Sequence, residues 1–127
     1  MVRGQGTETL ALATLAARAA SSKQGEHTVV LDVRELIAIT DYFVITSGTS
    51  ERQVWTIAEE VERQLKEAGV KPVRVEGERG SRWVLLDFVD IVVHVFNDEE
   101  REYYRLENLW RDAPVVPWGE PAEARSG

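Results

Sequence analysis

The stretch Arg82-Trp83-Val84-Leu85-Leu86-Asp87-Phe88-Val89-Asp90-Ile91-Val92-Val93-His94-Val95-Phe96 decides the fold. It is rich in β-branched and aromatic residues, which fit a pleated, half-buried surface. It reads as two strands, Arg82 to Phe88 and Ile91 to Phe96, joined by Val89-Asp90. So short a connection implies an antiparallel hairpin. With the turn centred there, Asp87 faces Val92, Leu85 faces His94 and Trp83 faces Phe96. Successive side chains of a strand point to opposite faces. One face then carries Val84, Leu86, Phe88, Ile91, Val93 and Val95, all apolar. The other carries Trp83, Leu85, Asp87, Val92, His94 and Phe96, which are mixed. A slip of one residue would scramble this sorting, so its cleanness supports the register.

The apolar face is core. The mixed face admits two readings. It is either a second core layer beneath a helix, with Asp87 and His94 satisfied by local hydrogen bonds, or a recognition patch of aromatic anchors beside a charge and an imidazole. Sequence leaves the two level.

Outward from the hairpin, Gly77-Glu78-Arg79-Gly80 is a polar turn and Val73 to Glu76 a short strand. Before them lies a helix with Val54, Ile57, Ala58, Val61, Leu65 and Ala68 on one stripe at helical spacing. Ser50 with Gln53 forms a capping box at its start, and Gly69 with Pro72 ends it. Trp55 lies beyond the edge of the stripe, closing the core margin or lying in an interface. Tyr42 to Thr46 and His27 to Val33 are two more strands. An Ala-rich helix runs from Thr7, a cap candidate, to about Lys23, with Gly25 ending it. Beyond the hairpin, Asn97 or Asp98 caps a helical segment with Tyr103, Tyr104, Leu106 and Trp110. Pro114, Pro117, Gly119 and Pro121 disfavour helix after it.

The predicted order is α-β-β-α-β-β-β-α. It fits an α/β (α+β) fold, a single mixed β-sheet of about five strands flanked by helices. Strands two and three flank a helix and are expected to run parallel as a right-handed crossover unit. The 127 residues suit one domain, expected over 7–111, between a flexible N-terminus (1–6) and a Pro-rich flexible tail (112–127).

Composition excludes some chemistry. The chain has no cysteine, so disulfides and thiolate metal sites are out. No apolar run approaches the roughly 20 residues of a membrane span, and the start lacks the basic-then-apolar order of a signal peptide. With 22 acidic and 15 basic side chains the net charge is −7, which disfavours broad capture of nucleic acid. We expect a protein surface as partner, no DNA and little direct RNA contact.

Asp87 and Asp90 point to opposite faces, and His94 is the only imidazole near them, so no metal site is expected. Gly48-Thr49-Ser50 lacks the lysine of a phosphate loop and reads as a capped turn. With two histidines, His27 and His94, and no nucleophile elbow, no catalytic residue is expected. Trp110 and Tyr103-Tyr104 read as a helix docked on the sheet.

The chain resembles the ribosomal silencing factors, or Iojap-like proteins. The matching residues are Leu31-Asp32-Val33, Ile39-Thr40-Asp41-Tyr42-Phe43-Val44-Ile45, Gly48-Thr49-Ser50, Pro72, Val75-Glu76-Gly77, the hairpin from Trp83 to Phe96, and Tyr104-Arg105-Leu106-Glu107-Asn108-Leu109-Trp110. Each block is short; their order and spacing are specific. The resemblance implies a nucleotidyltransferase-like fold without enzymatic activity or cofactor, a cytoplasmic location and a homodimer when free. It also implies binding to the L-fourteen protein of the large ribosomal subunit, which obstructs joining of the small one and represses translation. It implies binding roles for Trp83, Asp87, His94, Phe96 and Tyr104, and more weakly for Val92 and Glu107. The alternative is a nucleotidyltransferase-like enzyme or nucleotide-binding protein. Asp87-x-x-Asp90 departs from the Asp-x-Asp pair that would hold two metal ions on one strand.

Overall fold

The computed structural model describes residues 6–104 and 111–120, and only the backbone of residues 6–7 and 102–104. The elements are α1 (Gly6–Ser22), β1 (Glu26–Asp32), β2 (Tyr42–Gly48), α2 (Glu51–Glu67), β3 (Arg74–Glu76), β4 (Trp83–Asp87), β5 (Ile91–Asn97), α3 (Asp98–Tyr104) and β6 (Val115–Val116). They form one open six-stranded mixed sheet, ordered β3-β4-β5-β2-β1-β6.

The hairpin register is the expected one: Trp83 pairs with Phe96, Leu85 with His94 and Asp87 with Val92. β5 then pairs in parallel with β2, Phe43 opposite Val92 and Ile45 opposite His94. β2 is buried along its whole length, as a central strand covered on both faces must be. The strands flanking α2 run in one direction, as expected, but are not neighbours. β3 runs in the same direction as β2, but β4 and β5 lie between them. The parallel neighbour of β2 comes from the far strand of the hairpin, a non-local pairing that no local pattern encodes.

Helices α1 and α2 cover the apolar face. Ala13, Ala16, Ala17 and Ala20 of α1 and Val54, Ile57, Val61 and Leu65 of α2 bury against Val44, Val84, Leu86, Val93 and Val95. Small alanines let α1 approach the sheet closely. α2 begins as expected: the Ser50 side chain accepts from Gln53 N at 3.1 Å. Its end is a Schellman motif on Gly69, with Val70 N donating to Leu65 O at 2.9 Å. α1 starts at Gly6, so Thr7 lies inside it rather than capping it. Gln24, not Gly25, takes the left-handed position that stops α1. Gly25 serves a different need: a Cβ there would sit 2.5 Å from Thr46 Oγ1 and 2.9 Å from the Ala20 carbonyl. Trp55 closes the core margin, with the Arg79 guanidinium 5.8 Å over its ring.

Within the C-terminal segment, residues 115–118 pack on the folded domain. Val115 and Val116 pair antiparallel with Leu31 and Val30, which adds the sixth strand at the β1 edge. Trp118 is buried in the helix-side core, and its indole N–H donates to Thr28 O at 3.0 Å. Arg18 of α1 donates to Trp118 O at 3.1 Å. Proline at both ends of so short an edge strand is compatible with pairing along one side only.

Trp118→Ala removes a large buried side chain and a buried hydrogen bond. It should lower unfolding stability by about 3–5 kcal/mol, measured by urea denaturation. An unchanged midpoint would mean that residues 113–120 are not part of the folded domain.

Candidate functional site

The mixed face resolves into two zones. Leu31, Val33, Phe43, Ile45, Phe96 and Ala113 form a second buried cluster, with Val29, Ile37 and Val92 packed on it. The second-core reading therefore holds at the centre. Toward β4 and β3 the cover ends, and Trp83 (37% exposed), Leu85, Asp87 and Arg74 reach the surface.

An aromatic ladder joins the zones. The Trp83 ring stacks on Phe96 at 4.9 Å, and His94 lies 6.0 Å from Trp83 and 6.1 Å from Phe96. The Phe43 ring meets His94 edge-on at 5.1 Å. Trp83 Nε1 donates to His94 Nδ1 at 3.3 Å. Nδ1 is thus the acceptor, and the imidazole proton sits on Nε2. Burial disfavours the imidazolium and pushes the His94 pKa down to about 4. The ring is neutral at pH 7.

Beside the ladder lies a groove of about 330 Å³ lined mainly by Ile37, Ile39, Phe43, Leu85, Val89 and Val92. Thr40, Arg74, Asp87 and His94 complete the lining. Ile39 is 80% exposed and Val89 50%, so large apolar side chains stand in solvent on its rim. Asp87 is held by the Val89 N–H at 2.9 Å and lies 3.6 Å from the Arg74 guanidinium, which also pairs with Glu76 at 3.2 Å.

Val89 occupies a costly conformation. Its φ is 77°, and Asp90 N donates to Phe88 O at 3.0 Å across it, a γ-turn. A β-branched residue at positive φ is strained. The turn persists because the surroundings fix it: the Asp90 carbonyl accepts from Asp41 N at 2.8 Å and Tyr42 N at 3.2 Å.

The structure sorts the site residues anticipated from sequence. Trp83, Asp87 and Val92 reach or approach the surface of the groove side. His94 is 6% exposed and Phe96 fully buried, so neither is a surface anchor in the free protein; Phe96 supports Trp83 from below. Tyr104 closes α3, with its side chain outside the described residues, as is all of Glu107. Ile37, Ile39, Thr40, Arg74 and Val89 were not singled out from sequence. The apolar Ile37 and Ile39 in a segment between strands were the available signal.

The other chemical candidates look different in place. At the start of α2 the Ser50 hydroxyl accepts from Gln53 N at 3.1 Å, and Gln53 Oε1 accepts from Thr49 N at 2.7 Å and Thr49 Oγ1 at 2.9 Å, so the Gly48-Thr49-Ser50 turn is tied to the helix's own residues. Among the described residues, no three His, Asp or Glu side chains converge as metal ligands, and no helix is long and apolar enough to cross a membrane.

The fold and this face define the class: a small mixed α/β domain with one sheet face covered by helices and the other partly open. Residues 6–126 match the family model described as ribosomal silencing factor during starvation. The chain is 46% identical over 105 residues to "Ribosomal silencing factor RsfS" of Halalkalibacterium halodurans, covering 83% of this chain and 90% of that protein. It is 44% identical over 102 residues to the protein of that name in Bacillus subtilis, covering 80% and 86%. An X-ray structure of a Chromobacterium violaceum protein superposes with a TM-score of 0.76 at 34% identity, covering 91% of this chain and 96% of that one. The chain belongs to the RsfS family of ribosomal silencing factors. Its relatives carry the name of a regulator of the ribosome, not of an enzyme.

Two outcomes are expected here. Val89→Gly relieves the positive-φ strain and should stabilise the domain by about 1 kcal/mol net of glycine's chain entropy, seen as a higher Tm. A lower Tm would mean that the turn is not strained. For His94 the folded pKa lies below the unfolded one, so its neutral form supports the fold. That support is full above pH 6.5 and is lost as pH falls through about 4. It amounts to about 3 kcal/mol by the size of the shift. His94→Gln should flatten stability against pH in this window, and an unaltered slope would place the acid sensitivity elsewhere.

Proposed function

We propose that this protein is a cytoplasmic ribosomal silencing factor. It docks on the L-fourteen protein of the large ribosomal subunit, blocks joining of the small subunit and so represses translation. Family membership supports the reading at its coarse level. The observation that carries it further is the groove with Ile39 and Val89 exposed on its lining, and Trp83 exposed nearby on β4, on the sheet face that α1 and α2 do not cover. Large side chains held out on a rigid hairpin are the anchors of a protein interface. The net charge of −7 favours a basic protein surface over bare phosphate.

In this reading Trp83, Asp87 and Val92 contact the partner. His94 and Phe96 hold the anchors from beneath. Tyr104 and Glu107 extend the surface beyond the hairpin. The mechanism is steric. A standard interface of about 800 Å² per partner suffices for specific binding, and a domain seated at the intersubunit face excludes the other subunit. The free protein is a homodimer, and docking involves no catalytic residue, metal or cofactor.

Sedimentation with separated ribosomal subunits tests this. The protein should co-migrate with the large subunit alone and reduce reassociation with the small one. The combined Trp83→Ala, Asp87→Ala variant should keep its fold and bind the large subunit at least tenfold more weakly. Migration with neither subunit would contradict the function, and undiminished binding by the variant would contradict the site.

A further inference from the structure

Two residues that line the groove each bury a polar atom that has no hydrogen-bond partner among the described residues. Thr40 is 2% exposed, and its hydroxyl has no hydrogen-bond partner; His94 Nε2, which carries the imidazole proton, has none either. Most buried polar groups are satisfied, and of the three that are not among the described residues two, Thr40 Oγ1 and His94 Nε2, belong to residues lining this one groove, the third being Trp55 Nε1 on α2. The edge-on Phe43 ring is a weak acceptor for such an N–H. The groove around them is otherwise aliphatic and aromatic, with charge confined to Arg74 and Asp87.

We propose that the groove takes an extended segment of the protein partner, with an aliphatic side chain seated among Ile39, Phe43 and Val92 and a main-chain carbonyl accepting from His94 Nε2–H. The Thr40 hydroxyl bonds a second backbone group of the same segment. This rests on the docking function above and names the chemistry recognised. The His94 donor selects an acceptor, and the apolar lining selects a carbonyl over a hydrated phosphate. A nucleic-acid phosphate would also meet the Asp87 carboxylate, on a chain of net charge −7. The volume of about 330 Å³ suits inserted side chains rather than a whole helix, which is roughly 10–12 Å across.

Nε2 is sealed from solvent in the free protein. Docking must therefore part the groove walls. The 34–41 segment forms one wall, held by Val33 N to Asp41 O, by Leu36 N and Ile37 N to Val33 O, and by Asp41 N to Asp90 O, with Ile39 projecting from it into solvent. The partner then supplies the hydrogen bonds that the free protein lacks.

The test pairs thermal stability with affinity for purified large ribosomal subunits. Thr40→Val removes an orphaned hydroxyl while keeping volume, so it should hold or raise Tm; His94→Phe removes the Nε2 donor but also the Nδ1 acceptor of the Trp83 N–H, so its Tm should fall slightly. Each should nevertheless bind subunits about three- to tenfold more weakly, the range for one lost hydrogen bond. His94→Gln restores an N–H donor and should recover most of the affinity, which a packing role for the ring would not. Ile39→Asp alters an exposed side chain, so the fold survives it, and it should weaken binding at least tenfold. Wild-type affinity in Ile39→Asp and Thr40→Val would overturn the proposal while leaving the docking function intact. So would variants that bind subunits normally but lose self-association, because the occupant would then be a second copy. Failure of the wild-type protein to bind subunits would overturn the docking function itself.

Discussion

The two-residue connection at Val89-Asp90 is the constraint on which the rest depends. It fixes the register of β4 against β5, and the register decides which side chains enter the helix-side core and which face the groove. The same turn ties the hairpin to the start of β2 through the Asp90 carbonyl, next to the first pair of the parallel β2–β5 ladder. Val89 bears strain to make this join. One tight turn therefore sets the centre of the sheet, aligns Trp83, His94 and Phe96 in a ladder, and carries an apolar side chain to the groove rim.

The two sheet faces follow different rules. Under α1 and α2, alanines and aliphatic residues form the larger core, with one buried donor at its margin, the Trp55 indole N–H, lacking a partner among the described residues. On the other face the core is shallower and ends at a surface where large apolar groups stay exposed and buried polar groups go unmet. Stability alone would favour covering or replacing such groups. Local departures of this kind are expected where a protein must recognise something. On the docking function proposed above, this is the face that meets the partner.

Much of this was legible in the sequence because it is local. The parity of the hairpin, the Ser50–Gln53 cap, the stripe on α2 and the stop at Gly69 are written within a few residues of each other. Several features were not. The β2–β5 pairing depends on tertiary context. The β6 strand is two residues between prolines, a pattern that reads as coil until an open sheet edge is known to lie beside it. Trp118 was the overlooked sign that the segment returns to the core. For the site, alternation assigned His94 and Phe96 to the correct face but could not tell surface from depth, because burial there depends on Leu31, Phe43 and Ala113 from distant parts of the chain. Thr40 and Ile39 contribute from a segment without periodicity.

The central claim is that the open sheet face is the docking surface. Amide hydrogen exchange of the protein, alone and with saturating large ribosomal subunits, tests it most directly. The account predicts slowed exchange in the 34–41 segment, β3 and the β4–β5 turn, with the exposed flanks of α1 and α2 unchanged. Protection confined to α1 and α2, with the hairpin turn and the 34–41 segment exchanging as in the free protein, would contradict it.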